Sequence, residues 1–470
     1  MMRFFSLTLV SSLALAGCMA GPDHAPPPPP ASHALQSGAF LRAGDADTAR
    51  PVARWWEGLG DAQLTGLIDQ GLKDAPGIAA AQARVRQARA GLVRARADLL
   101  PTLGSSAMYL HADLPNDAFG TGPGKNDLYS LGFDAQWEID LWGGKRRATE
   151  RSRAQAEAAE ARLADAQVSL SAEIARNYIA LRAREASLAL LDRRHALESR
   201  IAAASQRRYD GGTAPRLPVE AALQQVQRTE AERAAMAAEI TVLRDSLAVL
   251  TGQAPGMLDS LARAEIPLPP AAVTVGDPAA MLARRPDIRA AERQLAAANA
   301  QIGVEAARRF PSLSLTGLIG IGGTSAGDMF DTSQLAAIAL PRLNWSFLDF
   351  GRVAAAKRGA VAGRDAALAD YRASVLAALQ DAEGALARYG AARTGLARAG
   401  GVARHADQIA RLQGLRAEAG TGSSIDAMEA ERRSVDARIA EANSRADLTL
   451  TYVALAKALG LGWKADTHRQ

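Results

Sequence analysis

The stretch from Lys145 to Tyr209 runs for 65 residues without proline or glycine and is dominated by alanine, arginine, glutamate, glutamine and leucine, all strong helix formers. It predicts one helix, which at ~1.5 Å per residue would be roughly 100 Å long where most helices have three or four turns. Leu163, Ala166, Leu170, Ile174, Tyr178, Leu181, Leu188 and Leu191 recur at threes, fours and one seven, which reads as a narrow coiled-coil seam. A helix of this kind spans distance. The low aromatic content of 5% agrees with closely packed helices rather than a thick globular core.

The pattern occurs twice. Ala75-Pro76-Gly77-Ile78 returns as Arg285-Pro286-Asp287-Ile288, and Pro101-Thr102-Leu103 as Pro311-Ser312-Leu313, with the prolines 25 positions apart in both copies. Trp137, Asp140 and Gly143 return as Trp345, Asp349 and Gly351, and Gly212-Thr213 as Gly420-Thr421. Thr251-Gly252 corresponds to Leu459-Gly460, and all offsets lie between 208 and 210. This is an internal duplication. The first repeat covers 51–252, with strands at about 101–112 and 128–141, a long helix at 145–209 and a return helix at 219–250. A linker at 253–276 follows. The second repeat, 277–460, has strands at about 311–323 and 335–349, a long helix at 351–419 and a return helix at 425–459, before a tail at 461–470.

Residues 129–141 carry the clearest strand. Tyr129, Leu131, Phe133, Ala135, Trp137, Ile139 and Leu141 alternate with Ser130, Gly132, Asp134, Gln136, Glu138 and Asp140, so one face is apolar and the other polar. A half-buried soluble strand would alternate in the same way. The unbroken length and the carboxylates on the polar face favour a transmembrane strand, which needs ~9–11 tilted residues with apolar side chains outward. In the second repeat the membrane-facing set is Leu343, Trp345 and Phe347, with Pro341 expected to interrupt the ladder. Trp137 and Trp345 fit an interfacial aromatic girdle.

The fold class that follows is mainly α with a membrane β part. Both strands of a repeat lie between its second helix and its long helix, so the two helices meet the sheet at one end, giving a helical rod with a β cap. Four strands cannot close a barrel, and lipid tolerates no open sheet edge. Several chains must therefore share one barrel.

The amino terminus directs export. Arg3 precedes an apolar run to Ala16, too short to span a bilayer as a mature helix, and residues 1–17 read as a signal peptide. Leu15-Ala16-Gly17-Cys18 resembles the bacterial lipobox, which makes Cys18 the lipidation site. Cys18 is the only cysteine, which excludes an internal disulfide. Met19 stands where an aspartate would hold such a lipoprotein at the inner membrane, and its presence points to the outer membrane. Residues 18–50, with five consecutive prolines, read as an extended tether.

Net charge is +5, but basic and acidic residues alternate along the helices and no basic patch is interleaved with aromatics, so nucleic acid is not an expected partner. The six histidines show no metal-ligand spacing. Gly317, Gly320, Gly322 and Gly323 lack the following helix a phosphate loop requires. No cofactor is expected beyond the lipid on Cys18, and no enzymatic activity.

The most specific motif is Arg284-Arg285-Pro286-Asp287-Ile288-Arg289 with Ala290-Ala291-Glu292, followed by Phe310-Pro311-Ser312-Leu313-Ser314-Leu315. Arg208-Tyr209-Asp210 before Gly212, and Lys457-Ala458-Leu459-Gly460, complete it. These residues resemble the TolC-type outer-membrane factor (outer membrane efflux protein) family, in its NodT-like lipidated branch that serves resistance-nodulation-division (RND) pumps. The resemblance implies a homotrimer in the outer membrane of a Gram-negative bacterium, lipid-anchored and projecting into the periplasm. It also implies docking to a periplasmic adaptor that connects to an inner-membrane RND transporter, with passage of small molecules as the function. An outer-membrane channel for type I protein secretion and a periplasmic scaffold lipoprotein are the alternatives. In the family, charged and aromatic residues at the long-helix ends pinch the periplasmic tip shut. The matching positions here are Arg208, Tyr209 and Asp210 in the first repeat and Arg416 and Glu418 in the second, while Ala417 and Gly422 depart from the family's aromatic and acidic residues. Carboxylates closing on one another are costly unless Arg208 and Arg416 pair with them, so an ion-pair latch is expected here, with solvated helix-end charges as the alternative.

Overall fold

The computed structural model describes residues 19–28, 33–42, 52–114 and 124–463. The expected signal peptide, Cys18 and part of the expected tether lie outside the described residues, as do residues 115–123 and 464–470. The elements are α1 (His33–Ser37), α2 (Ala62–Asp74), α3 (Pro76–Ala97), β1 (Thr102–Leu114), β2 (Gly124–Ile139), α4 (Gly144–Asp210) and α5 (Leu217–Leu250). The second half repeats them as α6 (Pro278–Arg284), α7 (Pro286–Ala307), β3 (Ser312–Gly323), β4 (Leu335–Asn344), α8 (Arg352–Glu418) and α9 (Ser424–Ala458). The two long helices, α4 and α8, have 67 residues each. Among the described residues no helix is long and apolar enough to cross a membrane.

The compact units do not coincide with the repeats. One gathers Arg84–Glu160 and Ala290–Tyr371 with the residues up to Pro28; the other gathers Pro29–Ala83, Ala161–Arg289 and Arg372 onward. Each unit takes chain from both repeats.

The first unit holds a four-stranded antiparallel sheet in the order β1-β2-β3-β4. Aspartates start the long helices that leave it. Asp140 accepts hydrogen bonds from the N–H groups of Lys145 at 3.0 Å and Arg146 at 2.9 Å, and Asp349 from Gly351 at 2.9 Å and Val353 at 2.8 Å, satisfying donors that a helix leaves open at its first turn. β4 ends at Asn344, short of the expected 349, because its partner β3 starts at Ser312, opposite Asn344, directly after Pro311. Trp345 and Phe347 have no ladder to join and lie beyond the strand. Pro341 does not break the register; it pairs with Leu315, as proline can on an edge strand.

The tether is pinned in this unit. Ala20 N–H donates to the Trp142 carbonyl at 3.0 Å, Asn299 Nδ2 to the Pro22 carbonyl at 3.0 Å, and His24 Nε2 lies 2.8 Å from Glu292 Oε1. Arg147, buried to 2% exposure, donates to the carbonyls of Ala20 and Gly21, each at 3.2 Å, and to Asp23 at 2.7 Å. A Cβ on Gly303 would meet the Ala20 carbonyl oxygen at 2.7 Å, so glycine is what admits this segment.

In the second unit Asp61 caps α2 by accepting from Leu64 N–H at 2.9 Å, and Asp277 caps α6 through Ala280 N–H at 2.8 Å; both follow the preference for aspartate at this position. The core holds Trp56, Leu64, Ile68, Ile174, Tyr178, Leu181, Leu247 and Met281. Along α4, Ile174 and Ala175 are both buried, as are Tyr178 and Ile179. Adjacent helical positions point about 100° apart, so the helix is enclosed on a wide arc rather than along a narrow seam. The residues of the Arg-Arg-Pro-Asp motif are structural. Arg285 donates to the Ala458 carbonyl at the end of α9 at 2.7 Å and to Asp287 at 3.0 and 2.7 Å, and Pro286 opens α7. A cation at a helix C-terminus satisfies its last carbonyls and its dipole. Glu383 accepts from the N–H groups of Leu41 at 2.7 Å and Arg42 at 3.0 Å, pinning a further part of the tether.

α5 starts at Leu217, two residues before the expected 219, with Pro218 inside its first turn, where its fixed φ suits a helix start.

Candidate functional site

The sheet carries one apolar face through all four strands. Tyr129 pairs with Tyr109 and Gly323, Leu131 with Ala107 and Ile321, and Phe133 with Ser105 and Ile319. Trp137 pairs with Leu315 and Ile139 with Leu313, whose other neighbour is Leu343. Because side chains alternate with period two, every residue in these rows points to the same side. Phe133, Leu343 and Leu131 are exposed on it. The opposite face is mixed: it carries Asp134, Gln136, Glu138, Ser314, Thr316 and Arg342 together with Met108, Leu110, Leu128, Leu318, Ile338 and Leu340. β1 and β4 are both edges, each a row of unpaired backbone groups.

The two repeat-related tryptophans do one job. Trp137 Nε1 donates to the Leu99 carbonyl at 3.0 Å, just past α3, and Trp345 Nε1 to the Arg309 carbonyl at 3.2 Å, just past α7. Each ties the base of a strand to the exit of the preceding helix, which is the polar handle an interfacial indole needs.

In the second unit the hairpin tips are built alike. Gly212 and Gly420 adopt φ of 66° and 70°, the left-handed conformation that ends a helix and that a Cβ disfavours. Thr213 then donates its N–H and its hydroxyl to the Arg208 carbonyl, both at 2.9 Å, and Thr421 does the same to Arg416 at 2.9 and 3.2 Å. Among the described residues the expected ion pairs do not form within one chain. Asp210 accepts from Gln206 at 2.7 Å, and among the described residues no ion pair joins Arg208 or Arg416 to Asp210 or Glu418. Tyr209 is exposed.

Glu418 instead lines a cleft of about 730 Å³ with Arg193, Arg200, Arg207, Arg411 and Arg438. Arg193 pairs with Glu431 at 2.6 Å and Arg438 with Asp407 at 2.9 Å; the Arg438 guanidinium holds the Asp407 carboxyl below its ordinary range, aided by Ser434. Arg200, Arg207 and Arg411 have no such partner among the described residues. Sequence reasoning missed this cleft, although Arg193, Arg200 and Arg207 stand seven residues apart, a spacing that places them on one helix face.

Residues 67–253 and 278–461 match the model of the outer membrane efflux protein family, one segment for each repeat. The chain belongs to that family. It is 31% identical over 449 residues to the pyoverdine export outer membrane protein OpmQ of Pseudomonas aeruginosa, covering 91% of each chain. It is 28% identical over 473 residues to Nodulation protein T of Rhizobium leguminosarum bv. trifolii, covering 98% of each. Among solved structures, the outer-membrane channel OprN superposes with a TM-score of 0.87 at 32% identity, over 95% of this chain and all of that one. The apolar sheet face and the paired hairpins are thus features of an outer-membrane efflux protein, NodT-like in type, of the kind found in Gram-negative outer membranes. Its relatives are channels and transport proteins, not enzymes.

Proposed function

We propose that this efflux protein works as a homotrimer whose sheets join edge to edge into one β-barrel, forming the exit duct of a tripartite RND-type system for small molecules. In this reading Cys18 carries the lipid anchor. Tyr129, Leu131, Phe133, Trp137, Ile139 and Leu343 face lipid, Trp345 and Phe347 lie at its boundary, and the opposite face lines a water-filled bore. Arg208, Tyr209, Asp210, Arg416 and Glu418 surround the periplasmic opening, with their ionic partners supplied by neighbouring subunits or by an adaptor. A periplasmic adaptor and an inner-membrane transporter complete the path.

The observation that carries this reading is the sheet itself. An apolar face continuous across four strands, with two open edges of 13 and 10 residues, is stable in hydrocarbon only when further strands pair with those edges. Purification in mild detergent should give a trimer that resists dissociation on unheated gels and conducts ions in planar bilayers. A monomer without conductance would end the proposal.

A further inference from the structure

The first unit contains a groove of about 940 Å³ beside the point where β4 ends. One wall is aromatic. Phe310 stacks on Trp142 with ring centroids 4.6 Å apart, and Trp345 packs near Phe347 at 6.0 Å; Phe347 is 78% exposed. The pinned N-terminal residues Ala20 and Gly21 form another wall. Three cations, Arg309, Lys357 and Arg358, line the same groove, and none of them has an ion-pair partner among the described residues. The single carboxylate present, Asp349, is engaged by the Gly351 and Val353 N–H groups.

An exposed aromatic wall beside unpaired cations lacks two things, hydrocarbon and anionic charge. We infer that this groove binds an anionic phospholipid, with its phosphate between Arg309, Lys357 and Arg358 and its acyl chains along Phe310, Trp345 and Phe347. The inference rests on the membrane placement proposed above: the groove adjoins the end of β4 next to the start of α8, a level at which phospholipid headgroups of the periplasmic leaflet would meet it. Basic pockets at that level select anionic headgroups, and aromatic side chains mark the same boundary. A phospholipid supplies both missing components in one molecule. The lipid on Cys18 would bring acyl chains but no phosphate.

The test is native mass spectrometry of the purified full chain, mixed with phosphatidylglycerol or phosphatidylcholine of identical acyl chains. Phosphatidylglycerol should be retained preferentially. Since a basic residue near an anionic headgroup contributes about 1 kcal/mol, Lys357→Gln and Arg358→Gln should each weaken retention about fivefold, and the pair should abolish the preference. Equal retention of the two lipids would overturn the inference, and would be the result if a second copy of the chain filled the groove. Undiminished preference in the double variant would overturn it too, as would displacement by millimolar inorganic phosphate, which would mark a free-anion site. Conductance in neutral bilayers tests the duct separately. Its absence would sink the duct reading and this inference with it, whereas conductance with equal lipid retention sinks this inference alone.

Discussion

Asp23 accepts a hydrogen bond from Arg147 at 2.7 Å across 124 residues of sequence, which fixes the N-terminal segment to the first turn of α4. Arg147 also serves the carbonyls of Ala20 and Gly21, and Asp23 itself is almost fully exposed. The guanidinium therefore matters through backbone groups more than through the ion pair. Arg147→Ala leaves two carbonyls without a buried donor, a loss of about 1–3 kcal/mol. It should release residues 19–24 to rapid amide exchange while β2 and β3 stay protected. Gly303→Val should do the same by blocking the channel sterically. Unchanged exchange in both variants would show that the segment is held elsewhere.

Much of this architecture could be read from the chain, and the exceptions share a cause. The absence of proline and glycine from 145–209 is a local property, and so is the alternation after Tyr129; both appear directly as α4 and β2. The position of Pro311 set the end of β4, so Trp345 could not be placed from its own neighbourhood. The docked tether was invisible for a similar reason. Pro26–Pro30 reads as a free polyproline run, while the groups that hold its flanks, Arg147, Asn299 and Glu383, lie more than a hundred residues away. The arginines of the tip cleft were legible in their heptad spacing, yet the alternating charges of α4 looked like an ordinary solvated face.

The proposed duct gives the tip carboxylates a testable role. Among the described residues Asp210 and Glu418 have no ion-pair partner, so in the proposed trimer they would present charge at the opening or pair with another subunit. Asp210→Ala combined with Glu418→Ala should raise single-channel conductance in planar bilayers, through loss of inter-subunit pairs that narrow the entrance. Conductance equal to the unaltered protein would reduce both residues to surface charges.

The Asp407 and Arg438 pair makes a prediction in pH. The Asp407 carboxyl is held below its ordinary range, first by the hydrogen bond from Arg438. A depressed carboxylate pKa contributes stability that is present above about pH 4 and lost as pH falls through the folded value. The pair is largely solvated, so the contribution at neutral pH is under about 1 kcal/mol. Arg438→Gln should lower the melting temperature slightly at pH 7, and the gap from the unaltered protein should narrow as the pH is taken below about 4. A gap of constant size across the acid range would assign the effect to packing of the arginine stem.

Arg182 and Glu185 form a fully enclosed ion pair at 2.6 Å. Gln63 accepts from Arg182 at 2.6 Å, Arg244 donates to Glu185 at 2.9 Å, and the Arg182 guanidinium lies 4.5 Å from the Tyr178 ring centroid. Enclosing two charges costs desolvation that their attraction only offsets when every partner is present. Removing one should therefore hurt more than removing both. Arg182→Ala leaves Glu185 buried with Arg244 alone and should destabilise the protein by about 3 kcal/mol, the lower end for a broken buried pair. Arg182→Met with Glu185→Leu keeps the volume and removes both charges, and should melt within about 1–2 kcal/mol of the unaltered protein. Thermal unfolding of the two variants decides it: if the double variant is the less stable, the pair stabilises this unit outright, and the residual Arg244 charge is what the protein cannot tolerate.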